Sequence, residues 1–179
     1  MDVLELKNYI TTNYTSTTLN QCSEDDDKNE YLVQNRAIAV FDFDKIKEKE
    51  SLDRCFPKNV SLTSPDTVVF NNRNEIILIE FKNSFSSDVK KFAVRVKFYE
   101  TLILLKHRFG FVDLDKLTYI LVHKGPKKKS KPHHRSIQGR CPADLSILKH
   151  EYPVSVKVYD AKYFDSNCYG ILGKALQDV

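Results

Sequence analysis

No apolar stretch in this 179-residue chain approaches the length of a membrane-spanning helix, so a helical membrane protein is excluded. Residues 1 to 20 have neither the basic start nor the continuous apolar run of a secretory leader. An intracellular protein is expected: cytoplasmic, nuclear or virion-associated. Cys22, Cys55, Cys141 and Cys168 contain no C-x-x-C pair, which argues against a zinc site or an iron–sulfur cluster and leaves reduced thiols as the expectation. No histidine stands at usable spacing from Ser84 or Ser86, so serine-nucleophile chemistry has no support. No internal repeat is present.

What remains is a globular composition, 41% apolar and 29% charged, long enough for one domain with a real core. The net charge of +4 is mild but unevenly spread. From His123 to Arg140 there are seven Lys or Arg, three His and no acid, whereas Glu24 to Asp27 are all acidic. A basic segment of this kind attracts phosphate through counterion release, and it reads equally as a solvated or localisation-type loop. Gly125, Pro126, Pro132 and Gly139 make it a loop. The adjacent His133 and His134 fit phosphate contact or solvent better than metal ligation.

The informative stretch is residues 64 to 84, which reads as a β-hairpin. Asp66 opens the first strand, a turn falls on Asn71 to Asn74, and the second strand runs from Ile76 to Lys82. Side chains alternate along a strand, so Glu80 and Lys82 project from the same face about 7 Å apart. The strand is otherwise apolar on both faces and belongs in a covered, central position, where terminal charge needs a reason. Two converging carboxylates make an oxygen-rich site for Mg²⁺ or Mn²⁺, and a lysine beside them can hold a water or a phosphate.

Pro65-Asp66, thirteen intervening residues, then Glu80-Phe81-Lys82 resembles the signature of the PD-(D/E)XK nuclease superfamily. The resemblance implies that Asp66 and Glu80 bind the metal, that the backbone carbonyl of Phe81 completes the ligand set, and that Lys82 orients or activates the attacking water. It also implies a mixed central β-sheet flanked by helices, a restriction-endonuclease-like core. An upstream acid commonly assists such a site. Glu30 is the candidate, with Asp25, Asp26 or Asp27 as alternatives.

Around the hairpin, residues 2 to 10 read as a short helix and Thr11 to Asn20 as a loop, while Glu24 to Glu30 begin or cap a helix. Arg36 to Phe43 is expected to be a buried strand, and Asp44 to Leu52 a charged helix. A long helix runs from a cap at Ser86 to Asp88 to a stop at Gly110. Its core face is expected to carry Val89, Phe92, Ala93, Val96, Tyr99 and Ile103, with Phe98, Leu102, Leu105 and Phe109 as a second apolar face. Lys91, Arg95 and Tyr99 share one side of it. In one subgroup of the superfamily a glutamine and a tyrosine occupy the positions of Arg95 and Tyr99. Lys97 is a candidate second phosphate-contacting lysine.

Lys116 to His123 and Pro153 to Tyr159 are further strands, the latter with Val154, Val156 and Val158 inward and Ser155, Lys157 and Tyr159 outward. A last helix is capped by Asp165 or Ser166. The whole reads as a single α/β domain with a core over about 30–125, a basic loop over 123–142 and a C-terminal strand and helix over 150–179.

The expected function is a Mg²⁺- or Mn²⁺-dependent endonuclease acting on DNA or RNA. Lys91, Arg95, Lys97, Tyr99, Lys124, Lys127, Lys128, Lys129, Lys131 and Arg135 contact the nucleic acid. A homodimer is compatible with a small nuclease that cuts two strands. Two rival readings stand beside it. One is a catalytically silent nuclease fold that binds nucleic acid or protein. The other is a phosphatase resembling the haloacid dehalogenases, with Asp42 as nucleophile and Asp44 as general acid, although Lys45 and Ile46 replace the usual glycine and threonine.

Overall fold

The computed structural model describes residues 1–25, 30–51, 62–83, 88–124 and 145–173, without the side chains of 25, 51 and 88–91. In chain order the elements are α1 (Val3–Asn13), β1 (Thr17–Thr18), α2 (Leu19–Cys22), β2 (Glu24–Asp25), β3 (Glu30–Tyr31), β4 (Ala39–Asp42) and α3 (Phe43–Ser51). There follow β5 (Thr67–Phe70), β6 (Ile76–Lys82), α4 (Asp88–Phe109), β7 (Leu117–His123), α5 (Ser146–Glu151), β8 (Ser155–Asp160) and α6 (Ala161–Leu172).

The hairpin forms where the sequence places it, with Val68 opposite Leu78 and Thr67 opposite Ile79. Asn71 closes the turn. Its Oδ1 accepts the amides of Arg73 and Glu75 at 2.9 and 3.0 Å, and its Nδ2 donates to Glu75 Oε2. Asn74 adopts φ 55°, a left-handed conformation that asparagine tolerates better than most residues.

A strand with Ile or Leu on both faces is stable only when both are covered, and β6 is accordingly interior to a six-stranded sheet ordered β1-β4-β5-β6-β7-β8. The first three junctions are antiparallel and the last two parallel. The fold is α/β with a mixed sheet flanked by helices. One face packs Leu6, Phe43, Val94, Phe98 and Leu148 on Leu78, Tyr119 and Val156. The other packs Leu19, Val33, Phe164 and Leu172 on Ile77, Ile79 and Val122. Even-numbered residues of β6 face the first of these layers, so Glu80 and Lys82 point toward α4. No helix among the described residues is long and apolar enough to cross a membrane.

Several local expectations are corrected. Glu24 to Tyr31 carries no helix at its described ends. Glu24–Asp25 and Glu30–Tyr31 pair as a two-stranded antiparallel ribbon. Strand β4 is shorter than the apolar run around it, because Phe43 already opens α3. Helix α4 is buried through the second of its two expected faces, with Phe98, Leu102, Leu105 and Phe109 covered together with Val94 and Thr101, while on the first face Phe92 is 61% and Ile103 40% exposed. Both stripes have helical period, and the Phe98 ring meets Tyr119 edge-on at 5.1 Å, a contact with β7 that sequence spacing does not contain. Gly110 ends α4 at φ 60°. In β8, Val156 and Val158 are buried as expected, but Tyr159 is buried too, in the opposite layer. Asp160, not Asp165 or Ser166, caps α6 by accepting the amide of Lys162 at 3.0 Å. Asp165 instead accepts the amides of Gln34 and Asn35. The cap expected at Ser86 and Ser87 lies outside the described residues.

Candidate active site

Asp66 stands one residue before β5 and is held on two sides. Its carbonyl accepts the amide of Phe43 at the start of α3 at 3.2 Å, and its Oδ2 accepts the amide of Phe81 at 2.5 Å. The Lys82 carbonyl accepts the Lys124 amide at 2.9 Å on the β7 side. By alternation the amide and carbonyl of Phe81 face the β5 side, where that strand has not yet begun. The aspartate thus takes the place of a strand partner.

Glu80 is fully buried. Lys82, on the same face, ion-pairs with its Oε1. Lys97 reaches down from α4, with Nζ 3.0 Å from each Glu80 oxygen and 3.6 Å from Asp66 Oδ1. One ammonium therefore lies against both carboxylates. Glu80 Oε1 thus faces two ammonium groups, while Oε2 accepts a hydrogen bond from Lys97.

Burial, reinforced by the charge of Glu80, pushes the Asp66 carboxyl up to about 7, against the downward pull of Lys97, the Phe81 amide and Lys82. Burial opposes the charge of Lys97, but Glu80 and Asp66 together raise its pKa above the ordinary lysine value. Beneath them, the buried hydroxyl of Tyr119 has no hydrogen-bond partner. Burial first, and then the charges of Glu80 and Asp66, hold that phenol well above its ordinary pKa.

The contacts of Asp44, the general acid of the phosphatase reading, are with α3 itself and with the segment before β5. In the first turn of α3 its Oδ1 accepts from Ser64 Oγ at 2.5 Å and pairs with Lys47 at 3.1 Å. Its charge also contributes to the field that keeps Lys97 protonated. The only signal for this is the antiparallel pairing of β4 with β5, which sets the residues after Asp42 beside those before Thr67. Asp42 itself accepts the Lys45 amide and pairs with the Lys45 ammonium at 3.1 Å, so it serves as a helix cap. Glu30, the expected upstream acid, is exposed on β3 and ion-pairs with Lys124.

The Arg95 and Tyr99 side of α4 belongs to a different neighbourhood. Tyr99 donates to Glu151 Oε2 at 2.7 Å and packs against Phe98 and Tyr152. Burial and Glu151 push its phenol up to about 12. The Arg95 guanidinium lies 5.9 Å from the centre of the exposed Phe92 ring, and its buried Nε has no hydrogen-bond partner. The side chain of Lys91, and Lys127, Lys128, Lys129, Lys131 and Arg135, lie outside the described residues.

Chemically, two carboxylates and a main-chain carbonyl are hard oxygen donors that suit Mg²⁺ or Mn²⁺. Among the described residues, no cluster of three or more His, Cys, Asp or Glu is arranged to hold a metal ion. The acidic pair thus fits a divalent ion as a partial donor set, to be completed by water and substrate oxygens. No family model, curated protein or solved structure matches the chain.

Proposed function

We propose that this chain is a metal-dependent nuclease, an endonuclease acting on DNA or RNA through Asp66, Glu80 and Lys82. The observation that carries the reading is the convergence of the two carboxylates and two lysines at one end of the β5–β6 hairpin, on the face roofed by α4. A buried strand acquires no charge there from packing alone, since an ionised carboxylate at zero exposure is costly unless it is used or fully paired.

A bound Mg²⁺ or Mn²⁺ supplies Lewis acidity toward the scissile phosphate and lowers the pKa of a coordinated water. Asp66 and Glu80 would hold that ion, and the Phe81 carbonyl, which faces the same side as Asp66, would add a neutral donor. Lys82 is 27% exposed and stands at the rim of the pair, where it steadies the attacking water. Lys97 contacts the phosphate, and the basic segment from His123 to Arg140 grips the backbone.

A second reading, a silent nuclease fold that binds nucleic acid, is favoured by one observation: Lys97 already neutralises the acidic pair. One assay separates the two. Circular single-stranded DNA, plasmid and structured RNA are each incubated with the protein in Mn²⁺, Mg²⁺ or EDTA, alongside Glu80→Ala. Metal-dependent cutting lost in the variant supports the nuclease; binding to any substrate without cutting supports the silent fold.

A further inference from the structure

Lys97 is placed as a cation is placed. Its Nζ is equidistant from the two oxygens of Glu80, at 3.0 Å, and lies 3.6 Å from Asp66 Oδ1, so it spans the two carboxylates that the nuclease reading gives to the metal. Its side chain is 20% exposed and Glu80 is fully buried, so little water screens the attraction. With Lys82 it brings two positive charges to the acidic pair, which they balance without any ion once both carboxyls are ionised.

We propose that Lys97 is a built-in counter-ion that a divalent metal displaces on entering the site. The inference rests on the nuclease reading and adds to it a resting state. In that state the acidic pair is closed by an ammonium from α4, and loading the site requires the ammonium to leave. At equal distance a dication gains about twice what an ammonium gains from the same two carboxylates, and at about 4 Å it repels the ammonium by most of what the ammonium gains from them. The divalent ion therefore competes with Lys97 for these oxygens.

The helix supplies the means of exchange. The lysine side chain is long and flexible, and its backbone carbonyl is tied at 2.6 Å to Thr101 Oγ1, so the main chain stays in place while the side chain moves. Displacement also frees a positive group beside the ion as a phosphate arrives. Metal and substrate binding then reinforce one another, since each favours the open arrangement.

The experiment is Mn²⁺ binding by titration calorimetry to the full chain, to Lys97→Gln and to Glu80→Gln. It is paired with the ¹⁵N resonance of the Lys97 ammonium in the wild-type protein during a Mg²⁺ titration. The expected result is that Lys97→Gln binds Mn²⁺ about tenfold or more tightly than wild type. Glu80→Gln loses binding, and the Lys97 resonance shifts or exchanges out as Mg²⁺ saturates. Unchanged or weaker Mn²⁺ binding in a folded Lys97→Gln overturns the proposal. So does a Lys97 resonance unmoved at saturating Mg²⁺, a readout that holds even if the variant does not fold. If wild type cuts nucleic acid with metal while Lys97 stays in place, the counter-ion idea fails and the nuclease stands; if neither wild type nor Lys97→Gln binds Mn²⁺, both fail.

Discussion

The carboxylate of Asp66 takes the amide proton of Phe81 at 2.5 Å, across the sheet edge where β5 has not yet begun. Residues 15 apart in sequence are thereby locked at the point where Glu80 turns its side chain toward α4. The aspartate has a structural job through Oδ2 and, in the proposed function, a chemical one through Oδ1, and substitutions can separate them.

Asp66→Asn keeps an oxygen for the Phe81 amide and loses the charge. It is expected to fold as wild type by circular dichroism while metal-dependent cleavage falls at least about 100-fold, as do Glu80→Gln and Lys82→Ala. Nucleic-acid binding in EDTA should persist in all three. Loss of binding in a folded variant argues against these roles.

The raised pKa of Asp66 makes a pH prediction. A carboxyl at about 7 in the folded state, against 3.8 ordinarily, binds its proton more tightly folded than unfolded. Its protonation therefore favours folding at low pH, and that contribution is lost as pH rises from about 4 through about 7. Urea melts at pH 5 and pH 8 should show wild type losing stability relative to Asp66→Asn as pH increases. A difference between the two proteins that does not change with pH removes the assigned shift. Metal-dependent cleavage, needing the ionised form, should rise across the same window.

Away from the site, Glu50 ties three helices together. Only 2% exposed, it accepts from Tyr9 at 2.7 Å and Tyr14 at 2.5 Å through one oxygen and from Arg108 at 2.5 Å through the other. Burial works to raise its pKa, but the bonds from Tyr14, Arg108 and Tyr9 lower it overall. Its stabilisation is present above the ordinary value of 4.5 and is lost as pH falls through the lower folded value. Glu50→Ala should cost about 3 kcal/mol in chemical denaturation at neutral pH, with activity per folded molecule unchanged. A loss under about 1 kcal/mol shows the knot to be ornamental.

Glu30 and Asp44 compete for the part of upstream acid. The exposed Glu30–Lys124 pair is worth little, so Glu30→Ala should leave stability within about 0.5 kcal/mol and cleavage near wild type. Asp44→Ala removes an acid whose charge acts on Lys97 and should slow cleavage about tenfold. Rates in the reverse order restore Glu30 to the site.

Local chemistry made the hairpin and its charges legible in the sequence: an asparagine turn, a doubly apolar strand, and Glu80 and Lys82 two residues apart. The interior position of β6 followed from the same reasoning. Both apolar faces of α4 were legible but not which of them is covered, because Phe98 and Leu105 share their period with Phe92 and Ile103, and Phe98 wins through Tyr119, 21 residues downstream. The place of Asp44 was hidden for the same kind of reason, since the β4–β5 pairing carries it to Ser64. Tyr159 reads outward by alternation and is buried because α6 covers that face of β8.

The turn closed by Asn71 also orders events in time. A hairpin with so short a connection forms within about 1–10 μs, whereas the parallel partner β7 must wait for α4 and its crossover. In that interval Ile76, Ile77, Leu78, Ile79 and Phe81 make up a strand edge of the kind that recruits other chains into aggregates. Glu80 and Lys82 interrupt it with opposite charges. The residues proposed to cut nucleic acid thus also act as gatekeepers of the nascent chain, so removing their charge should lower the yield of Glu80→Gln and Lys82→Ala during folding without altering the molecules that do fold.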